Sequence, residues 1–189
     1  MSRTDPDRDP GWGPVLANYP KIIIPVLGMT TMTRQTSGLQ SMRFLWVAFA
    51  NVLLLIWIPV VLFHETDGAP VGLSTGIAVT AVLGVFAQLL APRFAPLPDV
   101  ASPAALAGSF QRATFIRIAF AEAAAFVGLI MFLLTGHWLV YAVGFVIAAA
   151  GLWDAAPRRA RLDALQQQVL DAGSNLKVVR SLNQTRLTR

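Results

Sequence analysis

The stretch "IAFAEAAAFVGLIMFLLTG", Ile118 to Gly136, holds one carboxylate, Glu122, inside an apolar run of membrane-spanning length. About 20 apolar residues cross a hydrocarbon core roughly 30 Å thick. Four runs of this kind occur: "FLWVAFANVLLLIWIPVVLF" (44–63), "VGLSTGIAVTAVLGVFAQLLA" (71–91), "FIRIAFAEAAAFVGLIMFLLT" (115–135) and "HWLVYAVGFVIAAAGLW" (137–153). Only 13% of the 189 residues are charged and 55% are hydrophobic, which removes the chain from the ordinary soluble class. The expected fold is all-α, an integral membrane four-helix bundle with an amphipathic cytoplasmic helix after it.

Charge placement sets the expected orientation. All fifteen Lys and Arg lie in the segment up to Arg43, between Arg93 and Arg117, or from Arg158 onward, and the linkers at 64–70 and 136–137 have none. Lys and Arg concentrate on the cytoplasmic side of membrane proteins, so both termini are expected in the cytoplasm of a bacterium, with the spans in its inner membrane. The same rule accounts for the net charge of +5 without nucleic acid. Alanine and arginine are abundant while lysine occurs only at 21 and 177, which points to a GC-rich, actinobacterial genome.

Three domains are expected. Residues 1–43 form an N-terminal cytoplasmic segment, partly disordered because its first twenty residues are rich in Pro, Gly, Asp and Arg. No basic stretch leads straight into an apolar one there, so run 44–63 is read as the first anchor rather than a cleaved signal. Beside this stands the reading in which translation starts at Met29, Met32 or Met42. Residues 44–153 hold the four spans. Residues 154–189 form the basic tail, in which Asp154 is a candidate cap and Leu162, Leu165, Val169 and Leu170 recur at helical spacing. In the loop before the third run, Ser102 and Pro103 form a helix-start signal, and Pro59 is a candidate kink in the first run.

Gly72, Gly76, Thr80, Gly84 and Gln88 recur at every fourth position and make one stripe of the second helix. Small residues at this spacing let helices approach closely, either within the chain or in a homo-oligomer or larger assembly. Counting 1.5 Å per residue from the inner boundary puts Glu122 and Asn51 at a similar depth of about 10 Å. Gln88 lies shallower, so an intramembrane polar site of Glu122, Asn51, Gln88 and Arg117 is expected, with Asp154 at its mouth. A carboxylate in hydrocarbon costs about 2.5 to 3.5 kcal/mol on insertion scales, so Glu122 should face the bundle or be protonated. It then serves either proton exchange or helix packing through Asn51 or Gln88. Arg158, Arg159 and Arg161, close to the last bilayer exit, are candidates for anionic lipid headgroups or a partner.

"AEAAAFVGLIMFLL" (121–134) resembles the carboxylate helix of rotary ATP synthase ring subunits (subunit c), which implies a proton-carrying role for Glu122. More of the chain, "AFAEA", "LLTG" and "APRRAR", is similar to small uncharacterised four-span bacterial membrane proteins with an Ala-x-x-Glu-Ala third helix, a family that implies no activity.

His64, Glu65, Asp67 and His137 match no established metal motif, and cysteine is absent, so neither metal nor cofactor is expected. Walker, Gly-x-Ser-x-Gly and His-Glu-x-x-His patterns are missing too, so no enzyme is expected. The leading expectation is a non-enzymatic accessory, assembly or scaffold subunit of a larger inner-membrane complex, in contact with a membrane-protein partner. The alternative is a small proton-coupled transporter, or a ring-forming proton-translocating subunit, using Glu122.

Overall fold

The computed structural model describes residues 7, 9–17, 37–63 and 71–184, and among these every regular element is helical. In chain order they are α1 (Gly13–Ala17), α2 (Gly38–Leu55), α3 (Trp57–Leu62), α4 (Leu73–Phe94), α5 (Pro103–Thr135), α6 (Trp138–Ala155), α7 (Arg159–Asp171) and α8 (Val178–Gln184). Four stretches are long and apolar enough to cross a membrane: Gly38–Leu62, Leu73–Phe94, Pro103–Thr135 and Trp138–Ala155. Their length and apolar composition support a multi-pass membrane protein. Their bounds exceed the apolar runs. The first begins six residues before Phe44 and the third twelve before Phe115. The third starts where a cap is available, with the Ser102 hydroxyl accepting from the Ala105 N–H at 3.1 Å.

The chain divides into two compact units, one of residues 1–48, 96–114 and 156–189 and the other of residues 49–95 and 115–155. The first is a small helical domain. Leu39 and Met42 of α2, Leu106, Ala107 and Phe110 of α5, Leu162, Leu165 and Val169 of α7, and Val178 and Leu182 of α8 share its core. Gly173, with φ +77°, ends α7, and the Ser174 N–H returns to the Val169 carbonyl. Gln166 then starts α8, accepting from the Val178 N–H at 2.9 Å and donating to the Leu176 carbonyl at 3.0 Å.

Two expectations change here. Asp154 does not cap the helix after the fourth span, because it still belongs to the last turn of α6; the chain breaks at 156–158 around Pro157, and α7 begins at Arg159. Within the N-terminal segment, Asp9–Ala17 has a defined place. Val15 is buried with Phe44 and Val47, and Trp12 meets Trp46 edge to face at 5.4 Å.

The second unit holds most of the length of the four apolar helices. Pro59 has no N–H for the carbonyl four residues earlier, and its ring crowds that carbonyl, so the helix is interrupted at Ile56 between α2 and α3. The Tyr141 hydroxyl donates to the Leu53 carbonyl at 2.9 Å beside this break. Its ring packs edge to face on Trp57. Gly136, with φ +67°, turns α5 directly into α6, so the two run antiparallel as neighbours. Large apolar side chains such as Leu54, Val61, Phe86, Leu89, Ile130 and Val146 stay exposed, as lipid-facing positions do.

Candidate functional site

The small-residue stripe of α4 is spent inside the second unit. Gly76, Thr80 and Gly84 are buried. A Cβ on Gly76 would lie 2.6 Å from Thr135 Cγ2 and 3.1 Å from Val140, and one on Gly84 would lie 3.3 Å from the Ala124 Cβ and 3.2 Å from Ile147. The stripe therefore packs against α5 and α6 of the same chain. Gly72 stands outside this contact, exposed at the cap of α4 with nothing near its missing Cβ. The closest backbone approach joins α5 to α6: a Cβ on Gly144 would sit 2.8 Å from the Ala124 carbonyl oxygen and 2.9 Å from the Gly128 Cα. Backbone meets backbone there, and side chains could not yield.

Glu122 is 5% exposed on α5, between the buried Ala121 and Ala124, and its Oε1 has no hydrogen-bond partner. Of the expected polar layer, Gln88 goes elsewhere. Its amide donates to the Phe120 carbonyl at 3.4 Å and lies against Gly151, whose missing Cβ leaves the room. Asn51 is half-buried on α2. Arg117 is bound to Asp154 at 2.8 Å, a pair at the rim with Asp154 70% exposed, which contributes little to stability. Tyr141 of α6 lies within electrostatic reach of the Glu122 carboxylate.

The buried polar groups described in this unit are those of Glu122, Thr80 and Thr135 and the Tyr141 hydroxyl. Glu122 and Thr135 are thirteen residues apart on one helix, about 20 Å along its axis. Thr80, one turn from both Gly76 and Gly84, falls between their levels. Thr80, with a Tyr141 hydroxyl that is committed to the Leu53 carbonyl, does not fill about 20 Å with hydrogen bonds, whose steps are about 3 Å.

The first unit contains a second constellation, which the sequence did not announce. Arg43, in α2, is 1% exposed. Its Nη1 and Nη2 donate to the two Asp9 carboxylate oxygens at 2.7 and 2.9 Å. Nη1 also reaches the Gly11 carbonyl at 2.7 Å, while Nε and Nη2 reach the Pro157 carbonyl at 3.3 and 3.2 Å. Trp12 stacks under the guanidinium, 5.2 Å from ring centre to Cζ. Arg43 holds the Asp9 carboxyl below the usual carboxylate range, against the opposing effect of burial, and Arg159 adds a weaker attraction. Asp7 is paired with Lys177 at 2.8 Å and lies 3.8 Å from Arg180.

Of the three arginines expected to meet lipid or a partner, Arg159 is exposed and Arg158 half-buried. The half-buried Arg161 lies over the Phe110 ring at 5.6 Å, so it also serves the core of its own unit. No group of three or more His, Cys, Asp or Glu able to hold a metal occurs among the described residues; His64, Glu65 and Asp67 lie outside them. Comparison with protein-family models, with curated proteins and with solved structures finds no match.

Proposed function

We propose that the chain is a non-enzymatic accessory or scaffold subunit of a bacterial inner-membrane complex, inserted with both termini in the cytoplasm. The packed helical unit carries the reading. Its ten-residue core, half from the N-terminal turns of two of the apolar helices and half from α7 and α8, gives the chain a packed helical module that anchorage alone does not require. The module carries Arg43, Arg112, Arg158, Arg159, Arg161, Lys177 and Arg180, the charge expected of a cytoplasmic part. Since α4 uses its stripe within the chain, a partner would be met instead by the solvent face of the module. Leu97 and Leu170 stand exposed on that unit, as do the polar Asp163, Gln167 and Gln168 of α7. Purification in mild detergent should bring down one membrane partner in fixed stoichiometry. A chain that elutes alone under conditions preserving its fold argues against the scaffold role.

Orientation is tested separately. Cysteines placed singly at the exposed Gly72 and Asn175 of this cysteine-free chain should label from opposite faces of the membrane, Gly72→Cys alone reacting in intact spheroplasts. Outside labelling of both would sink the four-span topology.

One observation favours proton-coupled transport, the buried Glu122 with an oxygen left unbonded. Intramembrane carboxylates commonly mark ion pathways. The sparse set of buried hydroxyls beyond it weighs the other way. We expect no proton flux from liposomes holding the wild type at any imposed gradient. A flux that Glu122→Gln loses at equal protein content would replace the scaffold with the transporter, because an amide cannot titrate.

A further inference from the structure

We propose that Asp9–Ala17 is an internal strap whose Asp9 carboxylate occupies a built anion site on Arg43, and that the competing occupant is the phosphate of an acidic phospholipid headgroup. A planar guanidinium that donates two parallel bonds to one carboxylate has the geometry that equally receives two oxygens of a phosphate. The Pro157 carbonyl engages Nε and Nη2 independently of the strap, so it would keep the guanidinium aimed at the same place after Asp9 leaves. Arg159, the second cation acting on Asp9, would act on the replacement too. Asp7, two residues ahead of the strap, pairs with Lys177 and lies near Arg180, so the two carboxylates face four cations in all.

What lies under the strap decides between a lipid and a soluble anion. The strap buries Phe44 and Val47 beneath Val15 and covers Trp46 with Trp12. Its departure would bare those apolar groups beside one guanidinium. A free phosphate could satisfy the charge and would leave the apolar surface in water, whereas a phospholipid brings a phosphate and hydrocarbon together. Arg43 and Phe44 also stand at the start of the first apolar run, and Trp46 is of the type that favours the headgroup level. Opening would unmask Lys177 and Arg180 as well, whether or not the module also has a protein partner.

The test places a spin label on the strap at Leu16→Cys, a 59% exposed position in a cysteine-free chain, in full-length protein reconstituted into nanodiscs. In phosphatidylcholine the label should be largely immobile. In discs containing phosphatidylglycerol the mobile fraction should rise roughly tenfold, the effect of one to two basic residues meeting an anionic surface. Asp9→Asn should make the label mobile in both lipids. Equal immobility of the wild-type label in both lipids, or an immobile label in Asp9→Asn, overturns the proposal. Release by inorganic phosphate in phosphatidylcholine discs, to the same extent as by phosphatidylglycerol, overturns the lipid as occupant.

Discussion

Gly144→Leu should leave no folded bundle to purify, and Gly144→Ala should already lower the melting temperature in detergent by about 5 to 10 °C. A methyl group on Gly144 meets backbone on the facing helix, the Ala124 carbonyl oxygen at 2.8 Å and the Gly128 Cα at 2.9 Å. No rotamer can move those atoms, so α5 and α6 must separate, and the Gly136 turn that joins them allows little separation at its end. Overpacking of this kind costs about 1–3 kcal/mol for small additions and more for larger ones. At about 2–4 °C per kcal/mol for a chain of this size, the alanine estimate follows. Gly72 supplies the control, having nothing within 4 Å of its missing Cβ, so Gly72→Leu should melt with the wild type. A Gly144→Ala protein as stable as wild type would mean that the two helices do not touch there.

The four apolar helices were legible because hydrocarbon thickness imposes a length, and length and composition can be read along a chain. Contacts between helices are a different matter. Spacing by fours on α4 states that something approaches closely, and only the fold supplies α5 and α6 as what does. The Gly128–Gly144 contact did leave a trace that went unread: each glycine lies eight residues from Gly136, so a tight antiparallel turn brings them level. Pro59 announces a break in the first span, while the Tyr141 hydroxyl beside it comes from 88 residues away and has no local sign. The polar layer near Glu122 was inferred from depth alone. Depth cannot say which way a side chain turns, and Gln88 turns to the Phe120 carbonyl and Gly151. Asp9 was hidden most deeply. Its Pro- and Gly-rich surroundings have the composition of a disordered tail, and nothing periodic links it to an arginine 34 residues on.

That arginine carries the second large effect. Arg43→Met keeps most of the volume and removes the cation, so the Asp9 carboxylate, the Gly11 carbonyl and the Pro157 carbonyl lose their donor together and Trp12 loses its charge partner. Breaking a buried ion pair from one side costs about 3–5 kcal/mol. Asp9 keeps 16% of its side chain in water and can recover hydration, so the low end applies, a fall of about 6 to 12 °C in detergent. A cycle of Arg43→Met, Asp9→Asn and the double variant should give a coupling of about 1.5–3 kcal/mol, the range for hydrogen bonds to a charged group. Acid should imitate Asp9→Asn. Because Arg43 lowers the folded pKa of Asp9 beneath its ordinary value of 3.8, the charged pair contributes its full stability above about pH 4 and loses it as pH falls through the depressed value. The cations facing Asp9, Arg43 and Arg159, keep their charge throughout that window, and Asp7, at the surface beside Lys177 and Arg180, adds only a screened contribution. The wild-type strap label at Leu16→Cys should therefore stay immobile from pH 7 to about pH 4 and loosen below it. In Asp9→Asn it should be loose across the whole range. A wild-type label that loosens nearer pH 6, or an Asp9→Asn label that still responds to acid like wild type, would remove Asp9 as the group that holds the strap.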